Sequence, residues 1–108
     1  MKELARNRRA YADYAITETL EAGIVLSGAE VKSAKYGGAN LTGSYARITG
    51  GELSLINGHI QAYEHASPSL PYDPTRTRKL LAHKQEITRF ASKMDEKGLT
   101  LIPLAMYA

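Results

Sequence analysis

The sequence contains no cysteine and no tryptophan, and one phenylalanine in 108 residues. Without thiols there is no disulfide scaffold, no thiol nucleophile and no zinc-thiolate centre. No apolar run approaches the roughly 20 residues that span a bilayer, and the opening MKELARNRRA lacks the apolar core of a secretory signal. A cytoplasmic protein with no membrane partner is therefore expected. His59, His65 and His83 are the only histidines, and their spacing fits neither HExxH nor a zinc finger, so no metal is expected. The GxSxG, GxxxxGK[ST] and GxGxxG patterns are absent, which removes the hydrolase elbow and the two common phosphate-binding loops. Glu18, Glu21 and Glu30 read as solvated carboxylates rather than an acid/base pair. No catalytic residue, cofactor or small-molecule substrate is indicated, and the chain is not read as an enzyme.

What is present is charge, unevenly placed. The net charge of +3 conceals a polarised chain. Residues 1–9 carry Lys2, Arg6, Arg8 and Arg9 against Glu3, and residues 73–108 carry seven cations against four acids. The middle, 10–72, has three cations against six acids. Segmental asymmetry of this kind points to a polyanionic partner. The densest part is DPTRTRKLLAHK at 73–84, where Arg76, Arg78, Lys79 and Lys84 occur with no acid after Asp73. Arg guanidinium groups grip phosphate oxygens as bidentate forks while Lys acts as a point charge. Seven of the eight aromatics are tyrosine, a residue that offers a stacking face together with a hydroxyl and suits unpaired bases. Tyr11, Tyr14 and Tyr36 lie near basic residues, whereas Tyr45 and Tyr107, and Tyr14 again, also suit partial burial.

The length fits one domain, 1–108, with one small core. Residues 1–10 read as a basic arm, flexible or late-ordering, rather than a core element. YAITETLEAGIVL at 14–26 reads as a long strand bent at Gly23. Ser27, Glu30 and the Gly37–Gly38 stop predict a short capped helix with Val31 and Ala34 inward. SYARI and ELSLI around Gly50–Gly51 predict a hairpin, and GHIQAYEH at 58–65 a third strand. Residues 67–74 form a Pro-rich loop. Leu80, Ile87, Phe90, Ala91 and Met94 predict a helix over 80–97 that Gly98 ends. LTLIPLAMYA closes the chain as a strand that Pro103 confines to an edge. The pattern predicts a mainly β fold, an oligonucleotide/oligosaccharide-binding (OB-type) β-barrel with flanking short helices; a five-stranded sandwich is the alternative.

NRRAYADY at 7–14, ETLEAGIVLSGAEVKSAKYGGANLTGSYARI at 18–48, HIQAYEH at 59–65, DPTRTRKLLAHKQEI at 73–87 and EKGLTLIPLAMY at 96–107 together resemble the SsrA-binding protein family, also called small protein B. The resemblance implies a bacterial, non-enzymatic, cofactor-free protein that binds the tRNA-like domain of transfer-messenger RNA. Through that RNA it reaches stalled ribosomes in trans-translation. It implies RNA contacts at Asn7, Glu21 and Leu81, supported by Arg8, Arg9, Lys32, Arg76, Arg78, Lys79 and Lys84. Ala12 stands where the family pattern usually has His, and Ala29, Ala34 and Gly43 stand where bulkier or more polar residues are usual. Relatives continue past Tyr107 with a β segment and a long basic tail that enters the vacant messenger path. The chain as given is thus expected to bind RNA without supporting tagging.

Overall fold

The computed structural model describes residues 1–63 and 71–108. Along them run β1 (Glu3–Arg6), α1 (Arg8–Asp13), β2 (Gly23–Ile24), α2 (Gly28–Lys35), β3 (Ala39–Asn40), β4 (Tyr45–Thr49), β5 (Glu52–Ile56), β6 (His59–Ile60), β7 (Arg78–Leu81), α3 (Lys84–Lys97) and β8 (Ala105–Tyr107).

The hairpin forms where its pattern placed it. Gly50 and Gly51 sit at φ of 58° and 79°, the pair of positive values that matches a two-residue turn to the twist of its strands. Alternation then drives Leu53 and Leu55 of β5 inward, at 2% and 3% exposure. β5 pairs on its other side with β7, Leu53 opposite Leu80 and Leu55 opposite Arg78. β7 in turn pairs with β2, Gly23 opposite Leu81. The result is a four-stranded antiparallel sheet in the order β2-β7-β5-β4. Two further antiparallel pairs, β1 with β8 and β3 with β6, stand beside it.

Two apolar clusters hold these layers. Ala34, Leu41, Leu55, Ile60 and Met106 form one, and Ala46, Leu53 and Ile87 the other. Leu80 packs against both. That double contact explains why residues 80–81 belong to a strand although they share helical spacing with Ile87. In β7 Leu80 has a strand partner on each side. α3 therefore starts at Lys84, where the Glu86 carboxylate accepts the His83 backbone N–H (3.3 Å), and stops before Gly98.

Three other expectations change. Residues 1–10 form a strand and the start of a helix, because Leu4 and Ala5 pack on the first cluster and the β8 edge supplies hydrogen bonds. The stretch 14–26 is paired only at Gly23–Ile24. Between Tyr14 and Glu21 Leu20 alone packs into a cluster, too little apolar surface to hold a strand face. Glu18 of this stretch faces α3 instead, in an exposed two-point ion pair with Arg89 (2.7 Å) and Lys93. The C-terminal strand is confined to Ala105–Tyr107, after Pro103, and pairs with β1. Of the third expected strand, His59–Ile60 is paired; its end at 64–65 and residues 67–70 of the Pro-rich loop lie outside the described residues.

The fold is thus β-rich, antiparallel and flanked by short helices. Among the described residues its ladders make three separate sheets and do not close into one ring. An isolated bridge between Ala46 and Leu101 ties the β4 edge to the C-terminal segment.

Candidate nucleic-acid interface

The basic run is organised around an acid that the sequence presents as a helix cap. Glu30 is the third residue of α2, where its carboxylate accepts the Ser27 N–H (2.9 Å) and the Ser27 hydroxyl accepts the Glu30 N–H (3.2 Å). The same carboxylate is 2% exposed, not solvated as expected. It receives Arg76 as a two-pronged fork, with Nε at 3.0 Å from Oε2 and Nη2 on Oε1. Arg78 Nε reaches Oε2 at 2.9 Å. Burial pushes this carboxyl upward, but hydrogen bonds from Arg76, the Ser27 backbone and Arg78 outweigh it and hold the group at about 2.

Arg78 is fully enclosed, at 0% exposure. Beyond Glu30, its Nη1 donates to the carbonyls of Gly58 (2.6 Å) and Arg76 (3.2 Å), and its Nη2 to the Tyr72 hydroxyl (3.1 Å) and the Pro74 carbonyl (3.0 Å). All five N–H groups are thereby used inside the protein. The Tyr72 hydroxyl in turn donates to the Ile60 carbonyl (2.7 Å). Burial raises its phenol above the ordinary value. The reading of Arg76 and Arg78 as twin outward phosphate forks gives way here: Arg78 is the internal hub of the run, and Arg76 turns one side to Glu30 while keeping its side chain 38% exposed. Sequence reasoning missed Glu30 and Tyr72 in this role. The capping-box spacing accounted for Glu30 too early, and nothing local marks Tyr72.

Asn7 is likewise internal, at 3% exposure. It caps α1 by accepting the Ala10 N–H (3.2 Å), and its amide donates to the carbonyls of Leu41 (3.3 Å) and Pro103 (3.0 Å). This fixes where α1 begins and so where Arg8 and Arg9 project, both exposed. Arg9 makes an exposed pair with Asp13 (3.2 Å), and pairs of this kind contribute little.

The remaining candidates face solvent. Glu21 is exposed two residues before Gly23, and Gly23 pairs with Leu81. Leu81 is 51% exposed, an apolar surface beside an acceptor rather than a core residue. Lys79 lies two positions before it on β7, and Lys84 opens α3; both are exposed. Glu21, Leu81, Lys79 and Lys84 therefore share the β2–β7 edge and the turn after it. Lys32, on α2, is held elsewhere, its Nζ 5.9 Å from the centre of the Tyr63 ring.

The family described as SmpB protein matches residues 4–108. The chain belongs to the SmpB family. An SsrA-binding protein of Carboxydothermus hydrogenoformans is 54% identical over 106 residues, 98% of this chain and 70% of that protein. One from Thermosynechococcus vestitus is 50% identical over 107 residues, 99% of this chain and 70% of its own length. A solved SmpB structure described by the words "tmRNA-SmpB: a journey to the center of the bacterial ribosome" is 53% identical, with a TM-score of 0.75 over 94% of this chain and 71% of that one. Against these SmpB relatives the chain spans about 70% of their length.

Proposed function

We propose that this chain binds SsrA RNA, transfer-messenger RNA, through its tRNA-like domain and accompanies it to the bacterial ribosome in trans-translation. The observation that carries this is the match to the SmpB family over residues 4–108, joined to a surface that suits a folded RNA. In this reading Arg8, Arg9, Lys79, Lys84 and the exposed side of Arg76 supply attraction to phosphates. Glu21 accepts hydrogen bonds from an exposed base edge, and Leu81 gives that base an apolar rest. Lys32 adds charge on the α2 side. Asn7 and Arg78 act by positioning, Asn7 through α1 and Arg78 through the 72–78 segment. The protein works by binding rather than by catalysis, in the cytoplasm where ribosomes are. The Ala46–Leu101 bridge supports an OB-type arrangement in which the separate ladders are successive parts of one curved β layer.

Competition binding tests the proposal. Labelled tRNA-like domain should resist displacement by an unrelated hairpin of equal length at physiological salt. About 4 to 6 neutralised phosphates give a slope of roughly −3 to −5 for log affinity against log salt. Equal displacement by both RNAs, or a flat salt response, overturns it.

A further inference from the structure

The four-stranded sheet turns one face to the core and the other to solvent. Leu53 and Leu55 of β5 point inward, so Glu52, Ser54 and Ile56 point outward. The register carries this alternation to the neighbours, and β4 presents Tyr45, Arg47 and Thr49 while β7 presents Lys79 and Leu81. Ser54 and Ile56, in a strand flanked on both sides, are half-buried, and the rest are exposed. Ala34 of α2 and Ile87 of α3 join Leu55 and Leu53 in the two apolar clusters. Both helices therefore lie behind the sheet, and its outer face is left open.

A row of outward residues crosses all four strands. Arg47 is paired with Ser54 and Ser54 with Lys79, and the Lys79 carbonyl accepts the Val25 N–H (3.0 Å). With strands about 4.8 Å apart the row is roughly 14 Å long, and its two cations stand roughly 10 Å apart with the Ser54 hydroxyl between them. Neither cation is spent. Among the described residues Arg47 and Lys79 have no ion pair and no side-chain hydrogen bond, whereas Arg78, next to Lys79 but turned inward, has every donor used. The acids near this face are set to one side of the row. Glu52 lies opposite Thr49 at the hairpin end, and Glu21 comes two residues before Gly23, the partner of Leu81. Tyr45 and Ile56, opposite each other, flank the row on its other side.

We infer that this open face is a track for RNA backbone, on which Lys79 and Arg47 each neutralise one phosphate, the Ser54 hydroxyl donates to the chain between them, and Tyr45 gives the adjoining sugar an apolar rest. Charge fixes its course. A phosphodiester chain is repelled by the Glu21 and Glu52 margin and drawn onto the cationic row, so it crosses the strands from Val25 toward Arg47 rather than running along them. Lys79 belongs both to this track and to the Glu21–Leu81 edge, which makes the two surfaces continuous. The interface thereby widens from one edge of the sheet to its full width and takes in Arg47, Ser54 and Tyr45. The inference deepens the proposed function and rests on it.

The test uses the whole chain with the tRNA-like domain and an unrelated hairpin of equal length. Arg47→Ala should flatten the slope of log affinity against log salt by about 0.7 to 0.9, one phosphate, which at 0.15 M salt is about 4- to 6-fold weaker binding. Ser54→Asp, which puts a negative charge in the middle of the row, should weaken binding further, and Glu52→Gln should tighten it. Lys97→Ala, at an exposed cation ending α3, should leave slope and affinity as they are. A slope unmoved by Arg47→Ala, or flattened equally by Lys97→Ala, overturns the track. So does a concentration-dependent dimer in sedimentation that Ser54→Asp dissolves, because the face then belongs to a second copy. If Ser54→Asp lowers the unfolding midpoint, Arg47→Ala decides alone. Equal binding of the two RNAs counts against the proposed function, while the Arg47→Ala slope on either RNA still reports on the track; binding of neither overturns both.

Discussion

Two arginine-rich segments of similar composition come to opposite ends. At Arg8–Arg9 both guanidinium groups leave the surface of α1, and the nearest acid, Asp13, is itself exposed. At Arg76–Arg78 one carboxylate taken out of water gathers both guanidinium groups, and one of them disappears from the surface entirely. A count of positive residues treats the two alike. Their chemistry differs because an acid 46 residues before Arg76, on another element, has folded into the second segment. Charge in the sequence becomes charge on the surface only where the fold leaves it unpaired.

The comparison can be broken at its strongest point first. Glu30→Gln keeps the shape but strands two guanidinium groups, one of them fully buried. Losing one side of a buried pair costs about 3–5 kcal/mol, so the unfolding free energy should fall by that much and the urea midpoint should drop by more than about 1 M. An unchanged midpoint would mean that Arg76 and Arg78 do not depend on Glu30. Acid should reproduce the effect. Glu30 is held at about 2, below its ordinary value of 4.5. A carboxyl lowered on folding contributes stability that is complete above the unfolded value and is lost as pH falls through the folded one. Unfolding followed from pH 5 to pH 2 should therefore show a loss on the order of 3 kcal/mol, much reduced in Glu30→Gln.

Asn7→Ala should cost about 1–3 kcal/mol, since it removes a helix cap and the amide donor to the Pro103 carbonyl, while the Leu41 carbonyl keeps its bonds from Ser44. Thermal unfolding measures it, and no change would place α1 outside the cooperative unit. The smallest effect on stability is expected from Arg8→Ala with Arg9→Ala, within about 0.5 kcal/mol. On RNA the order reverses: that double variant should flatten the salt slope by about 1.4 to 1.8, two phosphate contacts at 0.7 to 0.9 each. If it instead unfolds the protein while leaving the slope alone, the contrast between the segments is lost.

Local chemistry was legible and distant pairing was not. The Ser27–Glu30 cap, the Gly50–Gly51 hairpin and the alternation that buries Leu53 and Leu55 are all decided within a few residues, and the sequence displays them. The spacing of Leu80 from Ile87 fits a helix, while the partners that make it a strand, Leu53 and Ile24, lie far off in the chain. Residues 1–10 read as an arm for the same reason, their partner β8 lying at the other end of the sequence. At the interface, residue types and sign of charge were readable, and the family resemblance supplied positions. What decides between contact and support is burial, which placed Asn7 and Arg78 inside and Leu81 outside.

The pairing of β1 with β8 has a consequence for how the molecule is made. Lys2 and Ala108 exchange both of their backbone hydrogen bonds, at 2.7 and 2.9 Å, and Asn7 leans on residues 103 and 104. A ribosome extends a chain by about 5–20 residues per second, so the N-terminal strand waits roughly 5–20 s for its partner to be synthesised. Until then α1 lacks the carbonyl of Pro103 that holds its cap, and Arg8 and Arg9 have no fixed direction. The earlier-made of the two strands is therefore among the last elements to settle.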